Sequence, residues 1–163
     1  SEIESLFSVS SFICTGNICR SPTAEGVFQA LVANNQLTHD IEIDSVGTGS
    51  WYIGKPPDQR AQAAAARRGF DLSNIRGRVI EDKDVLESDY LIAMDTANMQ
   101  ALRVMVPPEM WDKPQRFLEF APQLNRIDVP DPFYNGGTEF ELVLDLVEEA
   151  SRGLLKHIQS NDL

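Results

Sequence analysis

The sequence is short of cysteine, histidine and long apolar stretches, and each shortage removes a class of protein. Its 163 residues hold two cysteines, Cys14 and Cys19, five positions apart. That is no disulfide framework, and two thiols without neighbouring histidines make a poor zinc site. The two histidines, His39 and His157, lie far off in sequence among polar residues, so no metal ligand set and no cofactor are expected. No apolar run approaches the ~20 residues needed to cross a bilayer, which predicts no membrane insertion. Residues 1–5 include Glu2 and Glu4 and no basic residue. They lack the start of a signal peptide, so a cytoplasmic location is expected. Basic residues are scarce too: 14 Lys and Arg stand against 25 Asp and Glu, for a net charge of -11. That balance argues against nucleic acid and anionic membrane surfaces as partners.

What is present is ordinary globular material, 42% hydrophobic and 24% charged, without repeats or linkers, and it predicts a single domain over residues 1–163. Residues 6–13, with Phe7, Val9, Phe12 and Ile13, read as a strand ending at a glycine-containing loop. Ser21 is expected to cap a helix over residues 21–32, with Pro22 in its first turn and Ala24, Val27, Phe28 and Leu31 on its apolar face. Residues 41–46 read as a second strand, and residues 58–68 as an alanine-rich helix stopped by Gly69. A short helix over 82–87, a buried strand over 90–94 and a helix over 96–104 follow. Residues 116–120 are expected to form the fourth strand, and residues 139–157 a long amphipathic helix. Strands alternating with helices predict an α/β fold: a central four-stranded parallel sheet with helices on both faces, flavodoxin-like or Rossmann-like. Ligands bind such sheets beyond the carboxyl ends of the strands.

One segment sits at such a place: Cys14-Thr15-Gly16-Asn17-Ile18-Cys19-Arg20-Ser21-Pro22. Five residues separate the cysteine from the arginine, between a strand and a helix start. A loop of that length can curl until successive N–H groups converge above the cysteine sulfur, where they match the oxygens of a phosphate. Gly16 and Asn17 are suited to the positive φ that such a curl needs. The helix N-terminus also favours thiolate over thiol, which makes Cys14 a candidate nucleophile. Arg20 offers a planar fork to two phosphate oxygens, and the Ser21 hydroxyl is placed to stabilise the sulfur. These residues point to phosphate-monoester chemistry.

The stretch from Cys14 to Glu25 resembles the phosphate loop of the low-molecular-weight protein tyrosine phosphatases. The likeness continues through Asp44-Ser45, Trp51, Pro57-Asp58-Gln59-Arg60-Ala61, Ala93-Met94-Asp95 and Asp131-Pro132-Phe133-Tyr134, and so covers nearly the whole chain in order. It implies a protein-tyrosine phosphatase that works through a cysteinyl phosphate on Cys14. Phosphate would be bound by Arg20 and by the loop residues Thr15, Gly16, Asn17, Ile18, Cys19 and Ser21. Asp131, held between Pro130 and Pro132, is implied as the general acid and then the base. Asn17 and Ser45 are implied to support the loop by bonding to each other.

Trp51, Tyr52, Phe133 and Tyr134 are implied to wall a site for a flat phenyl ring. Relatives acting on phosphoarginine carry threonine where this chain has Ile18, which points to phosphotyrosine. Arsenate reductases of this fold use further cysteines downstream, and none follows Cys19. One departure stands out. Many members have a histidine in the loop after the second helix, whereas residues 72–78 here contain none; Asn74 or Arg76 is the expected substitute. The resemblance implies phosphotyrosine proteins as partners, a tyrosine kinase among them, and a monomer or weak dimer.

Overall fold

Alternation along the first strand, β1 (Ser8–Cys14), sets the two sides of the molecule. The computed structural model describes residues 8–134 and 137–163, so Leu6 and Phe7 of the expected first strand lie outside the described residues. β1 pairs in parallel with β2 (Ile41–Gly47) on one side and β3 (Tyr90–Ala93) on the other. A short edge strand, β4 (Pro114–Arg116), pairs with β3, giving the order β2-β1-β3-β4. Phe12 faces α1 (Arg20–Asn34), α2 (Gln59–Arg67) and α5 (Gly137–Asn161), in a core with Phe28, Ala64, Phe117 and Val147. Ile13 faces α3 (Asp82–Glu87) and α4 (Thr96–Met105), in a second core with Val46, Val85, Leu91, Met99 and Leu102. The expected four-stranded parallel sheet with helices on both faces is what the chain forms.

The fourth strand is displaced from its expected place. Residues 114–116 pair with β3, and Phe117–Phe120 forms a 3-10 turn instead of a strand. Two observations explain this. Phe117 and Leu118 are both buried, Phe117 with its ring centroid 5.1 Å from that of Phe12 in the core under α5. The Glu119 carboxylate also accepts from the Arg116 N–H at 2.7 Å, capping the turn as it starts. The first helix likewise begins one residue early, at Arg20, with Cys19 in the capping position. Ser21 does not cap it, because its hydroxyl is turned toward Cys14. α5 exceeds its expected bounds at both ends. No helix among the described residues is long and apolar enough to cross a membrane.

In a parallel sheet all strands end on one side. Here Cys14, Gly47 and Ala93 end at neighbouring positions, with Cys14 opposite Gly47 and Ile13 opposite both Val46 and Ala93. The loops that follow these strands share one rim, and the 129–134 segment joins them through the Val129 N–H, which donates to Met94 O at 2.9 Å.

Candidate active site

β1 delivers Cys14 to the rim, and the chain turns through residues 15–19 into α1. The turn hinges on Asn17, whose φ of 57° lies in the left-handed region that asparagine tolerates. This brings the Asn17 N–H to 3.3 Å from Cys14 Sγ. The Asn17 side chain then knots the loop together. Its Nδ2 donates to Ser21 Oγ at 2.9 Å and to Ser45 Oγ at 3.0 Å. Its Oδ1 accepts from the Arg78 N–H at 3.0 Å; a main-chain N–H can only donate, so the amide orientation is fixed. Ser21 Oγ accepts from Asn17 and lies 2.9 Å from Cys14 Sγ, with Val46 O an acceptor for its hydrogen at 3.4 Å. The expected Asn17–Ser45 pairing is present, and the Ser21 hydroxyl lies within hydrogen-bond distance of the sulfur.

Arg20 is 2% exposed, among the largest side chains that the fold buries. A buried guanidinium needs partners, and it has them. Nη1 donates to Asp95 Oδ2 at 2.5 Å and to Val129 O at 3.0 Å, while Nη2 lies 3.7 Å from Asp131 Oδ2. Burial alone pulls the guanidinium's pKa down, but the charges of Cys14, Asp95 and Asp131 outweigh it and hold the proton above the usual arginine range. Asp95 is fixed in turn, because its Oδ1 caps α4 through the Asn98 N–H at 2.7 Å. Asn98 Nδ2 reaches the loop at Thr15 Oγ1, 3.2 Å away. Both cysteines are free and buried. Burial pushes the Cys19 thiol up, with Asp58 and Cys14 adding to the effect, so Cys19 stays protonated beside the loop.

A cavity of about 270 Å³ opens above the sulfur. Thr15, Gly16, Ile18, Cys19 and Arg20 line its floor, and Trp51, Tyr52, Phe133 and Tyr134 its walls, with Asp131 at the mouth. Most of the expected loop residues and all four aromatic walls therefore meet in one place, whereas the side chains of Asn17 and Ser21 are buried behind the loop and do not line the cavity. Tyr134 is 87% exposed and Trp51 70% exposed. The Trp51 ring lies over Gly49, where an added Cβ would stand 1.7 Å from a ring carbon. Arg60 braces the opposite wall: Nη2 donates to Phe133 O at 2.9 Å, and the guanidinium stacks over the Phe133 and Phe140 rings at 5.7 and 4.8 Å. Asp131 Oδ1 accepts from the Phe133 N–H at 3.1 Å. Asp128 faces away, taking both the Thr96 N–H and its hydroxyl at 2.9 Å.

The substitution expected for the family histidine is corrected. Asn74 and Arg76 are exposed, and Arg76 Nη1 donates only to the carbonyls of Ser73 and Ile75. Arg78 occupies the network instead, with its guanidinium 2.6 Å from both Asp44 and Asp84. Ser45 Oγ donates to Glu25 Oε1 at 2.5 Å. Burial, with Asp44 adding, pushes the Glu25 carboxyl up to about 7, against the hydrogen bonds from Ser45 and Gln29 that lower it. Four residues of this site drew no role from the sequence: Arg60, Arg78, Asp95 and Asn98. Only Asp95 left a signal, as a capping aspartate before the helix at Thr96. Among the described residues no group of three or more His, Cys, Asp or Glu side chains is placed to hold a metal ion.

Known proteins share this arrangement. YfkJ of Bacillus subtilis, a low molecular weight protein-tyrosine-phosphatase, is 38% identical over 91% of this chain and 94% of its own. Its crystal structure superposes with a TM-score of 0.91 at 36% identity, covering 96% of this chain and 98% of that one. A low molecular weight protein-tyrosine-phosphatase of Streptomyces coelicolor is 40% identical over 91% of this chain and 92% of its own. A protein tyrosine phosphatase from Entamoeba histolytica, crystallised with Hepes in its active site, gives a TM-score of 0.91 at 33% identity over 96% of this chain and 99% of that one. The family model for low molecular weight phosphotyrosine protein phosphatase matches residues 10–162. By sequence, fold and the loop around Cys14, this chain belongs to the low molecular weight phosphotyrosine protein phosphatases.

Proposed function

We propose that the chain hydrolyses phosphotyrosine in proteins through a phosphocysteine on Cys14. Loop amides cradle the phosphate, and Arg20 presents its fork from the floor, with Nη1 occupied by Asp95 and Val129 and Nη2 on the side of Asp131. Cys14 Sγ attacks phosphorus in line. The P–S bond forms as the P–O bond to the aryl group breaks, and Asp131 gives its proton to the departing phenolate. Water then attacks phosphorus while Asp131 takes its proton, and the P–S bond breaks to release inorganic phosphate. In both transition states charge is spread over the three equatorial oxygens, which the fixed donors face in the planar geometry of transfer. Ser21 Oγ, 2.9 Å from the sulfur, donates to Cys14 once it is a thiolate and stabilises it before attack and after release.

The observation that carries this reading is the convergence of Cys14, Arg20 and Asp131 on one cavity with aromatic walls. The walls suit a flat phenyl ring, and the recessed sulfur disfavours a short serine stem. Ile18 in the floor gives an apolar contact where a phosphoarginine enzyme has a hydroxyl. Phosphotyrosine proteins are the substrates, with a tyrosine kinase as the natural counterpart. The exposed Trp51 and Tyr134 suit a monomer or a weak dimer through this face, and two free thiols suit the reducing cytoplasm.

The test is hydrolysis of p-nitrophenyl phosphate at about pH 5.5, in EDTA, with parent, Cys14→Ser and Asp131→Ala. The parent turns over and Cys14→Ser does not. Asp131→Ala lowers kcat by about 10²–10⁴, and by more on phenyl phosphate, whose leaving group is poorer. A folded, reduced parent that binds phosphate without turnover would make the chain a recognition module and overturn the proposal.

A further inference from the structure

The segment behind the phosphate loop is used more heavily than its sequence suggests. Both main-chain groups of Arg78 are committed: its N–H donates to Asn17 Oδ1 at 3.0 Å, and its C=O accepts from the Gly47 N–H at 2.8 Å. The residue before it reaches the aromatic wall. Gly77 N–H donates to Lys55 O, Gly54 N–H donates to Gly77 O, both at 2.8 Å, and a Cβ on Gly77 would stand 2.2 Å from Tyr52 O. Two adjacent residues thus touch the loop that shapes the phosphate cradle and the loop that carries Trp51 and Tyr52.

What keeps these residues in place is the Arg78 side chain. It reaches Asp44 on β2 at 2.6 Å and both oxygens of Asp84 on α3 at 2.6 and 3.1 Å. Neither carboxylate is loose. Asp44 Oδ1 accepts from the Ser45 N–H at 2.8 Å, and Asp84 Oδ2 accepts from the Glu81 N–H at 2.8 Å, capping α3. A guanidinium spans two such acceptors in a fixed plane, which an ammonium cannot do.

We infer that Arg78 is a positioning residue for the reaction: its guanidinium, pinned between Asp44 and Asp84, holds its own N–H on Asn17 Oδ1 and so fixes the left-handed turn that aims the loop at phosphate. The Asn17 amide oxygen is thus met by a main-chain donor, located by a side chain that points the other way. The inference rests on the loop around Cys14 being the catalytic one. It adds that α3 and the end of β2, which do not line the cavity, set the quality of the cradle.

The alternative is that Arg78 merely rivets β2 to α3, and the two roles part in kinetics. A misaimed cradle loses more in the transition state than in the ground state. Arg78→Met, Arg78→Lys and Asp84→Asn are therefore compared with the parent for kcat, KM, thermal midpoint, and inhibition by inorganic phosphate and by vanadate, which adopts the five-coordinate geometry of transfer. Arg78→Met is expected to lower kcat by about ten- to a hundredfold, the scale of a displacement of about 1 Å at a reacting centre, and to weaken vanadate more than phosphate. Arg78→Lys recovers only part of this. Asp84→Asn moves kcat the same way, and the double variant Arg78→Met with Asp84→Asn is no worse than Arg78→Met alone. If Arg78→Met does not fold, the lysine and asparagine variants decide the matter by the same ratio. A fall in thermal midpoint with kcat and the vanadate-to-phosphate ratio unchanged would leave Arg78 a rivet and sink the inference, as would equal weakening of both inhibitors. Cys14→Ser is assayed alongside: turnover there removes the mechanism, whereas the inhibitor ratio judges Arg78 independently.

Discussion

Glu25 is the side chain whose environment opposes its charge most plainly, since burial and the neighbouring Asp44 push its carboxyl up to about 7. A raised acid favours the fold while it is protonated. That contribution is complete below the ordinary glutamate range and is withdrawn as the pH climbs through about 7. Thermal midpoints measured from about pH 5 to about pH 8 should fall more steeply for the parent than for Glu25→Gln, which keeps the acceptor for Ser45 and has no proton to lose. Parallel curves would show that Glu25 does not titrate in that window. At this scale legibility followed residue type. Cys14, Arg20 and Ser21 stand close together in one segment, and Asp131 between two prolines announces a fixed carboxyl. Arg78 was not legible, because the group it offers to Asn17 is a main-chain N–H, identical in every residue but proline, and the acids that hold it lie 34 positions before and 6 positions after it. Arg60 escaped for a similar reason: its contact with the acid-bearing loop spans 73 positions and ends on a carbonyl.

Among the elements, β1 bears the most, since it carries Cys14 and divides the two cores. Phe12 anchors it, with ring centroids 5.6 Å from Phe28 and 5.1 Å from Phe117. Removing a buried phenyl ring costs about 3–5 kcal/mol, so Phe12→Ala should lose about 6–20 °C in thermal midpoint at this chain length. A loss under about 2 °C would mean that the core closes over the gap. α5 was readable from its long apolar periodicity, and Pro22 and Gly69 mark the start of α1 and the end of α2. β4 was not, since a three-residue strand starting at proline has no period, and the bulky pair after it is buried because the chain turns there.

On the proposed mechanism the whole molecule is an anion that binds anions, with a net charge of -11 around the loop proposed to cradle phosphate. Its attraction for phosphate would come from amides and one buried arginine within a few ångströms, whereas the repulsion acts over the range that salt screens, about 10 Å at 0.1 M. Raising the salt from about 20 mM to about 200 mM should therefore raise kcat/KM for phosphotyrosine peptides flanked by Asp and Glu and lower it for peptides flanked by Lys and Arg. Identical salt responses for both peptides would count against long-range steering. The architecture was legible at this scale because the alternation of strand and helix leaves few ways to cover a parallel sheet.

The Trp51 ring occupies the space that a side chain on Gly49 would need, and most of that ring is in solvent. Any larger residue at position 49 would swing the indole outward and redraw the entrance while leaving the sulfur, the arginine and the aspartate in place. On the proposed function, selectivity and chemistry would in this sense be separately heritable, for a single codon would change which rings are admitted without rewriting how their phosphate is removed.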